Sequence, residues 1–114
     1  MVKPGPTAAE RRRQEALARR LADAGFVLPG SLITRHMRCG KANCRCHDEP
    51  AELHGPYLQW TRTQDGKTLT RLLPREVGER YREWFDNARR IHEAISGLEA
   101  LSVAIVERDR QRRR

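Results

Sequence analysis

Three cysteines fall within eight residues, Cys39, Cys44 and Cys46, and His54 follows them, giving the spacing C-x₄-C-x-C-x₇-H. Three soft sulfur ligands and one imidazole on a short loop are the inventory of a closed tetrahedral zinc site. Residues i and i+2 of an extended segment point to the same side, so Cys44 and Cys46 can share one metal. A disulfide between them would close a strained ring. Gly40 permits the tight turn in which a thiolate also accepts backbone N–H bonds, and Arg38, Lys41 and Arg45 offset the charge of three thiolates. For the fourth ligand His54 is preferred. His47 directly follows Cys46, and adjacent extended side chains diverge; His36 has the opposite parity to Cys39. Water, Asp48 or Glu52 stand as alternatives that would leave the metal open, and metal-free thiols are the competing reading of the whole cluster.

A chain of 114 residues has room for one modest core, and with 38% hydrophobic and 33% charged residues its apolar supply is thin. Small domains in that position gain stability from a metal or a partner chain. The expected organisation is a disordered basic tail over 1–6, one zinc-stabilised domain over 7–106, and a basic tail over 107–114. An odd number of cysteines at this spacing is a poor disulfide framework and fits reduced thiols in the cytoplasm. No apolar run is long enough to cross a bilayer, so no membrane association is expected.

Along the chain, residues 7–24 read as a helix. Thr7 and Glu10 have capping-box spacing, Leu17, Leu21 and Ala24 share a face, and Gly25 is a natural stop. Pro29-Gly30 reads as a turn. A sheet follows over 31–73, interrupted by the metal loop 39–54. Its first strand, Leu32 to Cys39, places Ile33, Met37 and Cys39 on one face and Thr34, His36 and Arg38 on the other. Its second, Tyr57 to Thr63, places Leu58 and Trp60 opposite Tyr57, Gln59, Thr61 and Thr63. Asp65-Gly66 supplies the positive φ of a tight hairpin turn before the third strand, Thr68 to Leu73. Pro74 opens a long helix over 74–109. Val77, Tyr81, Trp84, Ala88, Ile91, Ile95, Leu98, Ser102 and Ile105 recur at steps of four and three, an a/d heptad seam. Gly97 within it costs about 1 kcal/mol relative to Ala. The fold class is therefore α+β: an N-terminal helix, a small three-stranded antiparallel sheet with a Cys/His zinc loop, and a long amphipathic C-terminal helix.

The residues Gly30-Ser31, Cys39-Gly40-Lys41, Cys44, Cys46, His54-Gly55-Pro56-Tyr57 and Gly66-Lys67-Thr68 give this chain a resemblance to a small, uncharacterised prokaryotic domain family. The resemblance covers roughly Leu28 to Ile95, leaving the arginine-rich N-terminal helix outside. It implies a zinc-ribbon-like module, connected with mobile genetic elements, and no known activity. A weaker similarity, from Tyr57 to Trp60 and from Asp65 to Leu72, is to the hairpin of the three-stranded arm-binding domains of tyrosine recombinases, which insert a sheet into DNA.

The net charge of +8 is uneven. Residues 1–21 carry six positive and two negative charges and residues 107–114 five and two, while 72–106 is nearly neutral with five and six. Around the metal loop and hairpin stand Arg35, Arg38, Lys41, Arg45, Arg62, Lys67 and Arg71, interleaved with strand-forming residues, which suits a polyanion. The main expectation is a non-enzymatic zinc protein that binds nucleic acid, DNA rather than RNA, through those seven cations, with Tyr57 or Trp60 available to stack. Trp60 beside Leu58 also reads as core, and terminal arginines also read as solvated surface. The alternative function is a protein–protein adaptor or homodimer built on the 77–105 seam, which requires that Leu98, Leu101 and Ile105 not be covered by the chain's own first helix. No phosphate loop, nucleophile elbow or metalloprotease motif argues for an enzyme.

Overall fold

A computed structural model describes residues 3–112. Its elements are helix α1 (Ala8–Ala22), strands β1 (Ser31–Met37), β2 (His54–Gln64) and β3 (Lys67–Pro74), and helix α2 (Arg75–Arg112), with a single 3₁₀ turn at Arg45–His47. This is the expected order of a helix, a three-stranded antiparallel sheet with the Cys/His cluster in its first connection, and a long helix. Contacts gather the chain into two compact units: the segment up to Val27 with that from Asp86 onward, and Leu28–Phe85.

In the helical unit, α1 starts as the capping box requires. The Glu10 N–H donates to Thr7 Oγ1 at 3.1 Å, and the Thr7 N–H donates to Glu10 Oε1 at 2.8 Å. Leu17, only 2% exposed, packs against Gly97 of α2, where an added Cβ would lie 3.0 Å from Leu17 Cδ2. The glycine that weakens α2 by propensity is thus the socket for the most buried side chain of α1. Ala88 and Ala94 are buried on the same helix. The seam departs from a strict heptad here: Ala94 and Leu101 take the inner positions, whereas Ile95 is 41% exposed and Ser102 turns its hydroxyl back to the Leu98 carbonyl. A straight helix drifts against a 3.5-residue repeat, so the buried stripe follows 3.6-residue spacing where it packs on a single short helix.

The basic tails expected at either end are partly ordered. Gly5 donates its N–H to Asp109 Oδ2 at 2.7 Å and accepts from Arg108 Nη2 at 2.9 Å, and α2 continues through Arg110 to Arg112. Residues 1, 2, 113 and 114, which belong to those tails, lie outside the described residues.

In the sheet unit the strand order is β1-β2-β3. Asp65 (φ 53°) and Gly66 (φ 76°) form the two-residue turn that the Asp-Gly pair predicts, and Gln64 pairs with Lys67 across it. Leu58 is buried, opposite Thr34 on one side and Leu73 on the other, and Gly78 of α2 sits directly on it. Leu32, Trp60 and Arg71 share that covered face through cross-strand pairing. Alternation sends Ile33, Tyr57, Gln59 and Leu72 to the opposite face, which explains why Ile33 is 53% exposed despite its β-branched, apolar side chain. β1 ends at Met37, two residues before Cys39, with a register shift between Arg35 and Met37 that sets His54 opposite Met37.

Candidate metal centre

The four expected ligands converge. Cys39 leaves β1, Cys44 precedes the 3₁₀ turn, Cys46 lies within it, and His54 is the first residue of β2. Their ligand atoms all lie within 4.8 Å of one another. Cys46 Sγ is 3.6 Å from Cys39 Sγ, and Cys44 Sγ is 3.2 Å from His54 Nε2. A tetrahedron with metal–sulfur bonds of about 2.3 Å and a metal–nitrogen bond of about 2.05 Å has S···S edges near ~3.8 Å and S···N edges near ~3.5 Å. The cluster therefore has the dimensions of a site that holds one metal ion. Among the described residues no other group of three or more such side chains converges.

Local structure explains the convergence. Gly55, at φ 126°, lies so close to β1 that a Cβ would be 2.9 Å from the Arg35 carbonyl oxygen; a residue with a side chain would hold His54 away from the thiols. The 3₁₀ turn tucks Cys46 inward until it is fully buried, and its sulfur accepts the Cys39 N–H at 3.2 Å. Burial pushes the Cys46 thiol above its usual range. The Cys44 thiol is lowered to about 6, first by the Cys46 backbone N–H, then by the thiols of Cys39 and Cys46 and by His54. A thiol so placed is ready to ligate near neutral pH. Two of the rival fourth ligands are engaged elsewhere: His47 Nε2 is 2.9 Å from the Cys39 carbonyl oxygen, and the exposed Glu52 pairs with Arg45 at 3.7 Å.

The cations expected around this loop fall into separate groups. Arg38 donates from Nε to the Cys46 carbonyl at 3.0 Å. Arg35 donates to Gln59 Oε1 at 2.7 Å on the sheet face opposite Leu58. Lys41 and Arg45 are exposed on the metal loop. Arg62, Lys67 and Arg71 instead belong, by register, to the Leu58 face. There Arg62 lays its guanidinium 4.1 Å over the Trp60 ring, whose indole N–H donates to the Pro29 carbonyl at 2.9 Å and whose edge meets Phe85. Of the two stacking candidates, Trp60 is thereby covered, whereas Tyr57 is half-buried and lines a groove. Beside the Cys/His cluster, Met37, Arg38, Cys39, His54, Tyr57 and Leu72 line a groove of about 380 Å³. Met37 and Leu72 were not singled out from sequence, although counting back from the Asp65-Gly66 turn gives Leu72 the same face as Tyr57.

No curated protein and no solved structure matches the chain. A family match starts at Thr7 and so includes α1, which the resemblance read from sequence had left outside; it extends through the sheet and the Cys/His cluster into the first turns of α2. Over residues 7–83 the chain matches the family described as a domain of unknown function (DUF6788), and it belongs to that family.

Proposed function

We propose that this protein is a small, non-enzymatic zinc module that binds nucleic acid, DNA in preference to RNA, with the metal serving structure alone. The observation that carries this reading is the convergence of Cys39, Cys44, Cys46 and His54 with Arg38 bonded to the Cys46 carbonyl, Lys41 and Arg45 on the same loop and Arg35 on the adjoining strand. Three thiolates and an imidazole suit zinc and disfavour hard cations such as magnesium or calcium. With four protein ligands the coordination is closed, which leaves no position for substrate. A zinc ion would tie the end of β1 to the start of β2 and hold the intervening basic loop in one shape. The same thiols are best preserved in a reducing compartment such as the cytoplasm; among the described residues no helix is long and apolar enough to cross a membrane. A link to mobile genetic elements rests on the motif resemblance alone.

The adaptor reading through the 77–105 seam has less to support it. Leu98, Leu101 and Ile105 are half-buried and line one groove with Pro6, Glu10, Arg11 and Gln14 of the same chain. That part of the seam needs no second helix.

The test is binding of zinc-loaded protein to labelled DNA by fluorescence anisotropy across a salt series. Contacts from Arg35, Arg38, Lys41 and Arg45 to phosphates give log K falling with log salt at about −0.9 per contact on duplex and about −0.7 on single strands. Absence of binding at low salt, or affinity indifferent to salt, would overturn the reading.

A further inference from the structure

The sheet face opposite Leu58 is built unlike a solvated surface. Tyr57 and Arg35 are cross-strand partners on it, and Leu72 is 44% exposed with no core to serve. Both Tyr57 and Leu72 line the groove next to the metal ligands Cys39 and His54, together with Met37 and Arg38. The walls are thus apolar and aromatic, the only formally charged side chain among them is Arg38, and the groove's volume of about 380 Å³ falls in the range of pockets that accept small planar groups, roughly 300–1,000 Å³. No acidic residue is among its lining. Arg38 spends its Nε on the Cys46 carbonyl, which fixes the stem and leaves the guanidinium's other edge for an anion.

A flat apolar ledge with a fixed cation at its rim matches one nucleotide: base on the ledge, phosphate at the cation. The base faces of a duplex are hidden in the stack, so only an unpaired base can use such a ledge. We infer that the groove between Tyr57 and Leu72 seats an unpaired base, with its phosphate on Arg38, so that the preferred ligand is single-stranded DNA. This rests on the nucleic-acid reading above and sharpens it. It also gives Leu72 and Ile33 a reason to remain exposed on a sheet whose other face is covered, because successive bases can lie across them.

The experiment compares zinc-loaded full-length protein binding to a labelled oligothymidylate, to a duplex of equal length and to an oligouridylate of equal length. Tyr57→Ala, Tyr57→Phe and Leu72→Ala are measured beside the parent chain, with zinc content recorded for each. The expected result is tighter binding of oligothymidylate than of duplex or oligouridylate. Tyr57→Ala should weaken it on the order of 5- to 100-fold, the equivalent of one stacked base, with the salt slope unchanged, and Tyr57→Phe should restore it. Leu72→Ala, at an exposed position, carries the same test if Tyr57→Ala loses its zinc. Duplex bound as tightly as the single strand, or no effect of Tyr57→Ala and Leu72→Ala, overturns the groove while salt-dependent DNA binding stands. Tighter oligouridylate binding overturns the choice of DNA. No binding to any probe overturns both this inference and the reading beneath it.

Discussion

Arg38 donates from Nε to the backbone carbonyl of Cys46 at 3.0 Å, so a surface cation is oriented by the most deeply buried member of the metal cluster. Whatever holds Cys46 in place also holds Arg38. Zinc removal is therefore expected to act twice, on stability and on anion binding. Chelation, or Cys46→Ser, should cost more than about 2 kcal/mol, on the order of 10 °C in Tm, because the other ties across the loop are single contacts of Arg38, His47 and the exposed Arg45–Glu52 pair. DNA affinity should fall in parallel even at temperatures where the protein remains folded. Calorimetry and anisotropy on the same chelated sample check both halves; an unchanged Tm with zinc absent would sink the structural role of the site.

Leu17 and Gly97 make a second prediction, one that runs against helix propensity. Gly97→Ala should gain about 1 kcal/mol in an isolated helix. In this protein the new Cβ would lie 3.0 Å from Leu17 Cδ2 and 3.3 Å from Cδ1, and Leu17 is too enclosed to retreat. Overpacking of this kind costs about 1–3 kcal/mol, so the net effect is destabilising. The sign should reverse once Leu17 is shortened: in a Leu17→Ala background, itself costing about 2–5 kcal/mol, Gly97→Ala becomes stabilising. A double-mutant cycle by urea denaturation measures the coupling.

Sequence made the elements legible wherever local chemistry decides them. The Thr7–Glu10 capping box, the Asp65-Gly66 turn and the ligand spacing from Cys39 to His54 each depend on neighbours in the chain, and each appears as read. The parts that were not legible depend on what packs on what. Ile95 and Ser102 fall at heptad positions of a seam in which Ser102 is undersized, but only contact with α1 decides that Ala94 and Leu101 lie inside. Arg62 and Arg35 look alike in sequence; strand register sends them to opposite sheet faces, where one covers an indole and the other donates to Gln59. Arg108 offered no signal at all, since its partner Glu10 is 98 residues away.

That separation of arginines can be measured. Arg62 sits 4.1 Å over the Trp60 ring, so Arg62→Gln should lower stability by about 0.5–1 kcal/mol, the worth of a partly exposed cation–π contact. It should leave the salt slope of DNA binding intact. Arg38→Gln should do the reverse, reducing the slope by about 0.7–0.9, one phosphate contact, with little change in Tm. Slopes that fall equally for both variants would mean that the two sheet faces do not differ in function.

Glu10 gives the pH prediction. Its side chain accepts two hydrogen bonds from Arg108, at 2.8 and 2.9 Å, and caps α1 through the Thr7 N–H. These contacts, the Arg108 hydrogen bonds first and the Thr7 N–H next, lower its pKa from 4.5 to about 2. A carboxylate whose pKa is depressed by folding stabilises the folded state fully above its unfolded value, and that contribution is lost as pH falls through the folded value. Wild type should therefore exceed Glu10→Gln in stability by a constant margin above about pH 5. The margin should shrink between pH 4.5 and about 2. Thiolates and imidazole also take up protons as pH falls, releasing metal, so absolute stability declines in both proteins. The difference in urea midpoint between the two is the quantity to follow, because the metal centre is common to both and cancels. A margin independent of pH down to 2 would show that Glu10 carries no charge-dependent bond to Arg108.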